Sequence, residues 1–324
     1  MRIWRSLDDV PADLGRTVVV IGNFDGVHLG HRHVVSRARE RADRDGLRLV
    51  AVTFDPHPMA VLRPEHAPLT LTDVDRRCLL LAEAGVDDVF VIPFSREIAA
   101  WSPEEFIDRV LVDGLHAAVV VVGANFRFGA KAAGDVATLD AAGRAHGFEV
   151  EGLALDGGPQ VWSSTYVRTC LAAGDVEGAA EALGRPYSVV GHVVRGDKRG
   201  RELGFPTANV PTSGRATPAD GVYAGWLTLL DAPGSAPMPA AISVGTNPTF
   251  DGERDRRVEA YVLPTSGSGA ERDLDLYDEP VEISFVAHIR GMVRFDGVEA
   301  LIETMGQDVE RTREILGLAP TGDS

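Results

Sequence analysis

The stretch TVVVIGNFDGVHLGH, residues 17–31, decides the fold of the first half of the chain. It opens with a short apolar run that ends at a glycine, a pattern typical of a buried strand in a parallel sheet. Gly22, Gly26 and Gly30 then punctuate a turn, and an amphipathic stretch from about residue 31 to residue 44 predicts a helix. A strand that enters a helix through glycines presents unpaired backbone N–H groups. The stretch therefore predicts a phosphate-binding turn.

Strands and helices continue to alternate beyond this turn. Short apolar runs predict further strands at residues 49–54, 89–92, 117–122 and 148–155, and helices are predicted at residues 73–84, from residue 102 onward, and at residues 135–146. Such alternation predicts an α/β domain with a doubly wound parallel sheet. In these sheets ligands bind beyond the carboxyl ends of the strands.

The pattern changes near Arg185, and the second half is rich in short β segments. Strands are predicted at residues 187–194, 222–230, 240–244, 258–263 and 281–289, followed by one amphipathic helix at residues 297–316. Short strands separated by turns predict a small antiparallel β-barrel with a terminal helix. We expect domains at residues 1–184 and 185–324, loops at residues 231–239 and 265–271, and a disordered tail at residues 319–324.

Composition narrows the class of protein. The chain has 324 residues, a length that suits two domains, and a formal net charge of −16. Such a charge repels nucleic-acid backbones and anionic lipid, so neither is an expected partner. With no apolar run of membrane length and no signal peptide, we expect a cytoplasmic protein. Cys78 and Cys170 lie in no metal or redox motif and are interpreted as core residues.

His28 and His31 stand three residues apart across a glycine at the predicted start of a helix. Both can therefore face one phosphate. A lone pair of histidines with this spacing would more simply be a surface feature. The strand, glycine turn and helix around them favour the phosphate-binding interpretation.

A second candidate phosphate site is a cluster of hydroxyl residues, Ser163, Ser164 and Thr165, followed by Arg168. Hydroxyls at a helix N-terminus and an arginine one turn later form a phosphate clamp. An ordinary N-cap would explain Ser163, but it would not explain Arg168.

In the second half, a loop of glycines and bases from Gly196 through Lys198 to Gly204 suits a triphosphate. The only lysines of the chain, Lys131 and Lys198, both lie in glycine-rich stretches. Thr207 and Asn209 alternate along a possible strand beyond this loop, so both can point at one magnesium ion. A polar surface loop is the alternative.

The motifs resemble a known family. The run His28-Leu29-Gly30-His31 resembles the HxGH signature of the nucleotidyltransferase superfamily related to class I aminoacyl-tRNA synthetases, and the run from Ser163 to Arg168 matches its second signature. Residues 22–31 are more narrowly similar to bacterial bifunctional riboflavin kinase/FMN adenylyltransferases, the FAD synthetases. The run Phe205-Pro206-Thr207-Ala208-Asn209, with residues 245–250 and 258–261, resembles their kinase domain. The resemblance spans about residues 15–316.

The resemblance implies an enzyme that phosphorylates riboflavin to FMN and then adenylylates FMN to FAD, with ATP at both sites and Mg²⁺. We expect small-molecule partners and a monomer or weak homo-oligomer. The implied catalytic residues are His28, His31, Arg168 and Glu259, and Thr207 and Asn209 are the implied metal ligands. The implied nucleotide-binding residues are Gly22, Asn23, Phe24, Asp25, Gly26, Asn125, Ser163, Ser164, Thr165, Gly196, Lys198, Gly204, Phe205 and Pro206. The implied flavin-binding residues are His57, Phe126, Arg127 and Arg290.

Some of these roles have simpler alternatives. His57 lies between prolines and is equally explained by a rigid loop. Glu259 would be taken for the solvent-side residue of a strand without the resemblance, although a kinase needs a carboxylate near the hydroxyl it phosphorylates. Met292 stands where the commoner family pattern has an acidic residue, so the chain departs from that pattern here.

Two other functions compete with this interpretation. The first is another small-molecule adenylyltransferase, acting on a pantetheine or nicotinate phosphate, which would lack the motif from Phe205 to Asn209. The second is a flavin-binding regulator or sensor with weak catalysis, which would be expected to have lost residues such as His28 or Glu259.

Overall fold

We describe the chain in a computed structural model that covers residues 1–154, 162–196, 205–232, 234–246, 256–264, 276–295 and 297–319. It divides into two compact units, Met1–Ser164 and Thr165–Ser324. The predicted boundary after residue 184 falls later than this division.

The first unit is built on a parallel sheet of six strands. They are β1 (Arg2–Trp4), β2 (Thr17–Ile21), β3 (Arg48–Asp55), β4 (Asp88–Pro93), β5 (Ala117–Gly123) and β6 (Glu149–Leu153). The helices are α1 (Leu29–Asp45), α2 (Pro58–Leu62), α3 (Val74–Glu83), α4 (Pro103–Phe106, continued by wider π-type turns over Ile107–Gly114) and α5 (Val136–His146). Single 3₁₀ turns lie at Leu7–Asp9, Pro64–His66, Ile98–Ala100 and Ala130–Ala132.

The two faces of this sheet carry separate hydrophobic cores. Successive residues of a strand point to opposite faces. Val18 and Val20 therefore pack in one core with residues of α1 and α3, whereas Val19 and Ile21 pack in the other with residues of α4 and α5. Helices cover both faces, which confirms the predicted doubly wound fold.

The strand order β1-β4-β3-β2-β5-β6 places β2 between β3 and β5, and all neighbouring pairs are parallel. The chain winds from β2 through β3 and β4 in one direction and resumes at β5 on the other side of β2. Such a reversal opens a crevice at the carboxyl ends of the two central strands. The glycine turn of residues 22–28 and the loop that follows β5 both begin there.

The second unit contains an antiparallel, curled sheet of six strands with order β7-β12-β9-β10-β11-β8. Two helices precede the sheet, α6 (Ser164–Ala173) and α7 (Val176–Leu183). The strands are β7 (Tyr187–His192), β8 (Thr207–Pro211), β9 (Gly221–Leu229), β10 (Met238–Thr246), β11 (Arg256–Val262) and β12 (Pro280–Gly291), and helix α8 (Val298–Ile315) follows them. The two edges approach each other at a single bridge between Val194 and Asn209, so the curled sheet is only partly closed, and we call it the half-barrel. Helix α8 packs against β9, β10 and β12.

The structure adds to or corrects the predicted elements at four places, one of which is the short helix α2, which was not predicted. β1 was not predicted, because so short a strand carries no periodic pattern; it pairs with β4. α7 was also missed, and it packs against β7 and β12. The predicted loop 231–239 was wrong at its end, since Met238 and Pro239 already pair with β9. The predicted loop 265–271 and the tail beyond Ala319 lie outside the described residues.

Candidate functional sites

The turn after β2, which we call the phosphate turn (residues 22–28), places the two predicted histidines side by side. His28 caps α1, and its Nδ1 accepts a hydrogen bond from the backbone N–H of His31 at 3.3 Å. The two rings stack, with centroids 3.6 Å apart. Phe24 and Val27 hold positive φ angles of 48° and 41° in this turn. Non-glycine residues in that region are strained, and such strain clusters at functional sites.

Asp25, predicted as a nucleotide contact, supports the phosphate turn. Its buried carboxylate accepts hydrogen bonds from the backbone N–H groups of Leu71, at 3.0 and 3.1 Å, and Thr72, at 3.0 Å. The Thr72 hydroxyl in turn accepts from the Gly26 N–H at 3.1 Å. The Ser164 hydroxyl donates to the Asp25 carbonyl at 2.9 Å, so Ser164, the last residue of the first unit, also contacts the turn.

Asn23, predicted to bind nucleotide, and His57, predicted to bind flavin, meet in the structure. The Asn23 Nδ2 and His57 Nε2 atoms lie 3.3 Å apart. His57 also caps α2, because its Nδ1 accepts from the Met59 N–H at 3.1 Å. The two residues come together because they follow β2 and β3, which are neighbours in the sheet.

Arg77 on α3 is a site-wall residue that the sequence analysis missed. Its guanidinium donates to the Thr53 hydroxyl at 3.2 Å, to the Phe54 carbonyl at 2.9 Å and to the Thr72 carbonyl at 3.4 Å. The Thr53 hydroxyl also donates a hydrogen bond to the Asn23 carbonyl at 3.1 Å. Through these bonds the buried arginine connects the end of β3 with the phosphate turn after β2 and with Thr72, which supports that turn.

The His31 ring is held neutral. Burial lowers the pKa of His31 well below its ordinary value, and the neighbouring positive charges that His28 and Arg77 carry when protonated lower it further. Its Nδ1 is buried and has no hydrogen-bond partner among the described residues. A neutral ring beside a cationic wall can bind a proton or donate a hydrogen bond when an anion arrives.

The other predicted residues of the first site are more dispersed. Asn125, in the loop after β5, is exposed. Phe126 stacks on Phe128 with ring centroids 5.5 Å apart, and Arg127 pairs with Asp135 at 3.2 Å. Arg168 lies one turn into α6 and belongs to the second unit, so its place beside the histidines stays a prediction. Gly22 lies against the Phe24 ring, 3.2 Å from where a Cβ would sit.

In the second unit, four predicted residues line one cavity of about 250 Å³: Phe205, Thr207, Glu259 and Arg290. The strand register explains how they converge. Glu259 on β11 lies opposite Asn209 on β8 and opposite Ser243 on β10. Cross-strand partners share one face of a sheet. The solvent-side alternative for Glu259 is therefore not what the structure shows, since Glu259 faces the cavity.

The two predicted metal ligands are adjacent. The Asn209 amide nitrogen donates to the Thr207 carbonyl at 3.1 Å and to its hydroxyl at 3.3 Å. A Cβ built on Gly196 would lie 2.6–2.7 Å from the Asn209 amide, so only glycine leaves this space open. Lys198 and Gly204, predicted in the same loop, and residues 247–250 lie outside the described residues.

Arg290 points into the cavity with an acidic partner that the sequence analysis did not anticipate. Its guanidinium donates twice to the Asp308 carboxylate on α8, at 2.8 and 2.7 Å, and it lies over the Phe295 ring. Asp308 is buried, and it lines the cavity together with Met292 and Met305. A largely apolar cavity with a few placed charges suits an aromatic ligand.

The cysteines behave as core residues, as predicted. Cys78 and Cys170 are both buried and unpaired. Burial raises the pKa of Cys78 to about 11, and burial also raises the pKa of Cys170. Neither thiol is ionised at neutral pH, so neither is a suitable nucleophile.

Comparison with known proteins matches both halves of the chain. A family model described as FAD synthetase matches residues 10–164, and one described as riboflavin kinase matches residues 183–316. The bifunctional riboflavin kinase/FMN adenylyltransferase of Pseudomonas fluorescens is 37% identical, over 97% of this chain and 98% of its own length. The enzyme of the same description from Escherichia coli (strain K12) is 36% identical, over 93% of each chain.

The chain belongs to the bifunctional riboflavin kinase/FMN adenylyltransferase family. It uses ATP to phosphorylate riboflavin to FMN and then to adenylylate FMN, giving FAD and pyrophosphate. The resemblance inferred from the HxGH run and from the stretch between Phe205 and Asn209 is thereby confirmed, and so are the two activities. The rival interpretations, a different adenylyltransferase or a sensor, are set aside.

A solved structure gives the same fold. A chain from Streptococcus pneumoniae described as a macrolide-efflux protein superposes with a TM-score of 0.82 at 30% identity, covering 96% of this chain and 98% of that one. Within the described residues of the present chain, no helix has both the length and the apolarity needed to cross a membrane.

Proposed function

We propose that the phosphate turn carries out FMN adenylylation and that the half-barrel cavity carries out riboflavin phosphorylation. The observation that supports the first assignment best is the stacked pair of His28 and His31 at the start of α1. It lies at the crevice where the strand order reverses. The observation that supports the second is the register that aligns Glu259 with Asn209 beside Thr207.

In the adenylylation step, the phosphate oxygen of FMN attacks the α-phosphorus of ATP, and the bond to pyrophosphate breaks. The nucleophile is already anionic, so the step needs no general base. Catalysis then depends on positioning and on stabilising the charge that develops on the α-phosphate and on pyrophosphate. His28, His31 and Arg168 are the proposed donors. Gly22 to Gly26, Asn125 and Ser163 to Thr165 are proposed to contact the nucleotide, and His57, Phe126 and Arg127 the FMN.

In the kinase step, the terminal hydroxyl of riboflavin attacks the γ-phosphorus of ATP, the bond from that phosphorus to the bridging oxygen breaks, and ADP leaves. Glu259 is proposed to accept the proton of that hydroxyl. Arg290, Phe205 and the apolar wall are proposed to hold the flavin. Gly196, Lys198, Gly204 and Pro206 are proposed to contact the nucleotide.

The half-barrel residues fit a magnesium ion. Thr207 and Asn209 offer a hydroxyl and an amide oxygen, which are hard donors. Gly196 leaves open the space beside the Asn209 amide that a side chain would fill. When bound, Mg²⁺ would supply charge neutralisation to the phosphates of ATP. We expect Thr207→Val to raise the Mg²⁺ concentration for half-maximal FMN formation and to leave FMN adenylylation unchanged.

We further propose a cytoplasmic protein that is a monomer or a weak homo-oligomer, and a functional boundary near residue 184. Sedimentation of the purified chain over a range of concentrations tests the first point. A complex that stays intact at nanomolar concentration would contradict it.

The two assignments are tested by separating the activities. Glu259→Ala should abolish FMN formation and leave FMN-to-FAD conversion intact, and His28→Ala should do the reverse. Glu282→Ala on β12 and His33→Ala on the exposed side of α1 are matched controls, since neither lines a proposed site. If either active-site change abolished both reactions in a folded protein, the two-site assignment would be wrong.

A further inference from the structure

Arg77 is a buried arginine in the wall of the phosphate turn. It is 3% exposed. Within the described part of the chain its hydrogen bonds go to the neutral oxygens of Thr53, Phe54 and Thr72, and no carboxylate pairs with it. A desolvated cation without an anionic partner is costly to a fold. Arg39 on α1, by contrast, forms ion pairs with the carboxylates of Asp43 and Asp87, as a partly buried arginine usually does.

The acceptors of Arg77 belong to three segments that converge on the site. The Phe54 carbonyl lies at the end of β3, just before the loop that carries His57. The Thr72 carbonyl lies in the segment that holds the Asp25 carboxylate. The Thr53 hydroxyl, which accepts from Arg77, donates onward to the Asn23 carbonyl of the phosphate turn. One guanidinium therefore fixes both loops between which the phosphates of the two substrates would react.

We infer that Arg77 is a positioning residue for adenylyl transfer: it holds the phosphate turn and the His57 loop in register, and its charge favours the phosphates of ATP. This inference rests on the proposed assignment of FMN adenylylation to the phosphate turn. The positive charge of Arg77, which no carboxylate pairs with in the described part of the chain, would then be balanced by the negative charge of bound ATP.

The charge of Arg77 also reaches the histidine pair. The groups that lower the pKa of His31, besides burial, are His28 and Arg77. Removing the Arg77 charge should therefore let His31 take up a proton at higher pH. The acidic limb of the pH profile of FMN adenylylation should move to higher pH in Arg77→Met and stay in place in Arg77→Lys.

The test measures FMN-to-FAD conversion and riboflavin-to-FMN conversion on the same full-length preparations. Arg77→Met should lower kcat/KM for FMN adenylylation about 10²-fold, the cost of a displaced reacting geometry. Arg77→Lys should recover most of it. Thr53→Val keeps the charge but removes the relay to Asn23, so it should lower kcat with little change in the KM for ATP. Arg39→Met is the matched control and should leave both activities near wild type.

Three outcomes overturn the inference. The first is a kcat/KM for FMN adenylylation that is the same in Arg77→Met as in Arg39→Met, with an unchanged pH profile; Arg77 would then be only structural. The second applies if Arg77→Met does not fold: an unchanged kcat for FMN adenylylation in Thr53→Val then overturns the inference. His28→Ala is assayed in the same series: full adenylylation there would remove the proposed site and the inference together, whereas a loss there with no effect at Arg77 would overturn the inference alone.

Discussion

Replacing Asp25 by alanine should destabilise the first unit far more than an ordinary surface change. In the folded chain this carboxylate accepts from the N–H groups of Leu71 and Thr72, which are both buried. Alanine would leave these two donors unsatisfied. Each unsatisfied buried donor costs about 1–3 kcal/mol, so the expected loss is about 2–6 kcal/mol. That is a large share of the roughly 5–15 kcal/mol by which a domain is stable.

The assay is a guanidinium titration followed by tryptophan fluorescence, because three of the four tryptophans, Trp4, Trp101 and Trp162, lie in the first unit. Asp73→Ala is the matched control. Asp73 caps α3 by accepting from the Arg76 N–H at 2.8 Å, and losing such a cap costs about 1 kcal/mol. Riboflavin phosphorylation should survive in Asp25→Ala. A free energy of unfolding no lower than that of Asp73→Ala would refute the reasoning.

Three further perturbations have expected outcomes. Gly30→Ala places a Cβ 3.1 Å from the His28 ring, so FMN adenylylation measured by flavin chromatography should fall while FMN formation is kept; an unchanged rate would contradict the placement of His28. Because the pKa of His31 is lowered in the folded chain, the unfolded chain binds its proton first below about pH 6.5. The free energy of unfolding should therefore fall as pH drops through that value, and His31→Gln should weaken this dependence; an identical pH dependence in the variant would be evidence against a neutral His31. Asp308→Ala leaves the Arg290 guanidinium unpaired and should raise the KM for riboflavin roughly tenfold; an unchanged KM would mean that the pair does not shape the flavin cavity.

The sheets could be predicted from the sequence because buried parallel strands and short antiparallel strands leave distinct patterns. Runs such as Val18 to Ile21 are apolar on both faces, and both faces are indeed covered by helices. What the pattern could not give is strand order. The approach of Asn23 to His57 depends on β2 and β3 being neighbours, and local sequence does not encode that choice.

The residues that sequence reasoning missed are charged groups that are buried. Arg77 stands three and four residues before Leu80 and Leu81, so helical periodicity placed it on the buried face of α3. Residue type alone nevertheless predicts an exposed side chain here, because arginines are rarely fully buried. Asp308 gave no signal because its partner, Arg290, is on another element.

Predicted site residues also differ in how much of their role the geometry supports. In the first unit the rings of His28 and His31 stack on each other, and in the second unit Thr207 and Glu259 line one cavity; their catalytic and metal-binding roles stay predictions. Asp25 was expected at the nucleotide, which stays a prediction, and the structure shows that its carboxylate holds the segment of residues 71–72. A sequence motif contains residues that shape a turn as well as residues that contact the ligand. The sequence alone does not tell these two kinds of residue apart.

The most direct test of the two-site account mixes the two inactivated variants. His28→Ala and Glu259→Ala proteins are each incubated with riboflavin, ATP and Mg²⁺, alone and in an equimolar mixture, and the flavins are separated by chromatography. The account predicts FMN alone from the first protein, no product from the second, and FAD from the mixture, because FMN released by one chain is adenylylated by the other. A mixture that makes no FAD, although each protein keeps its remaining activity, would contradict the account.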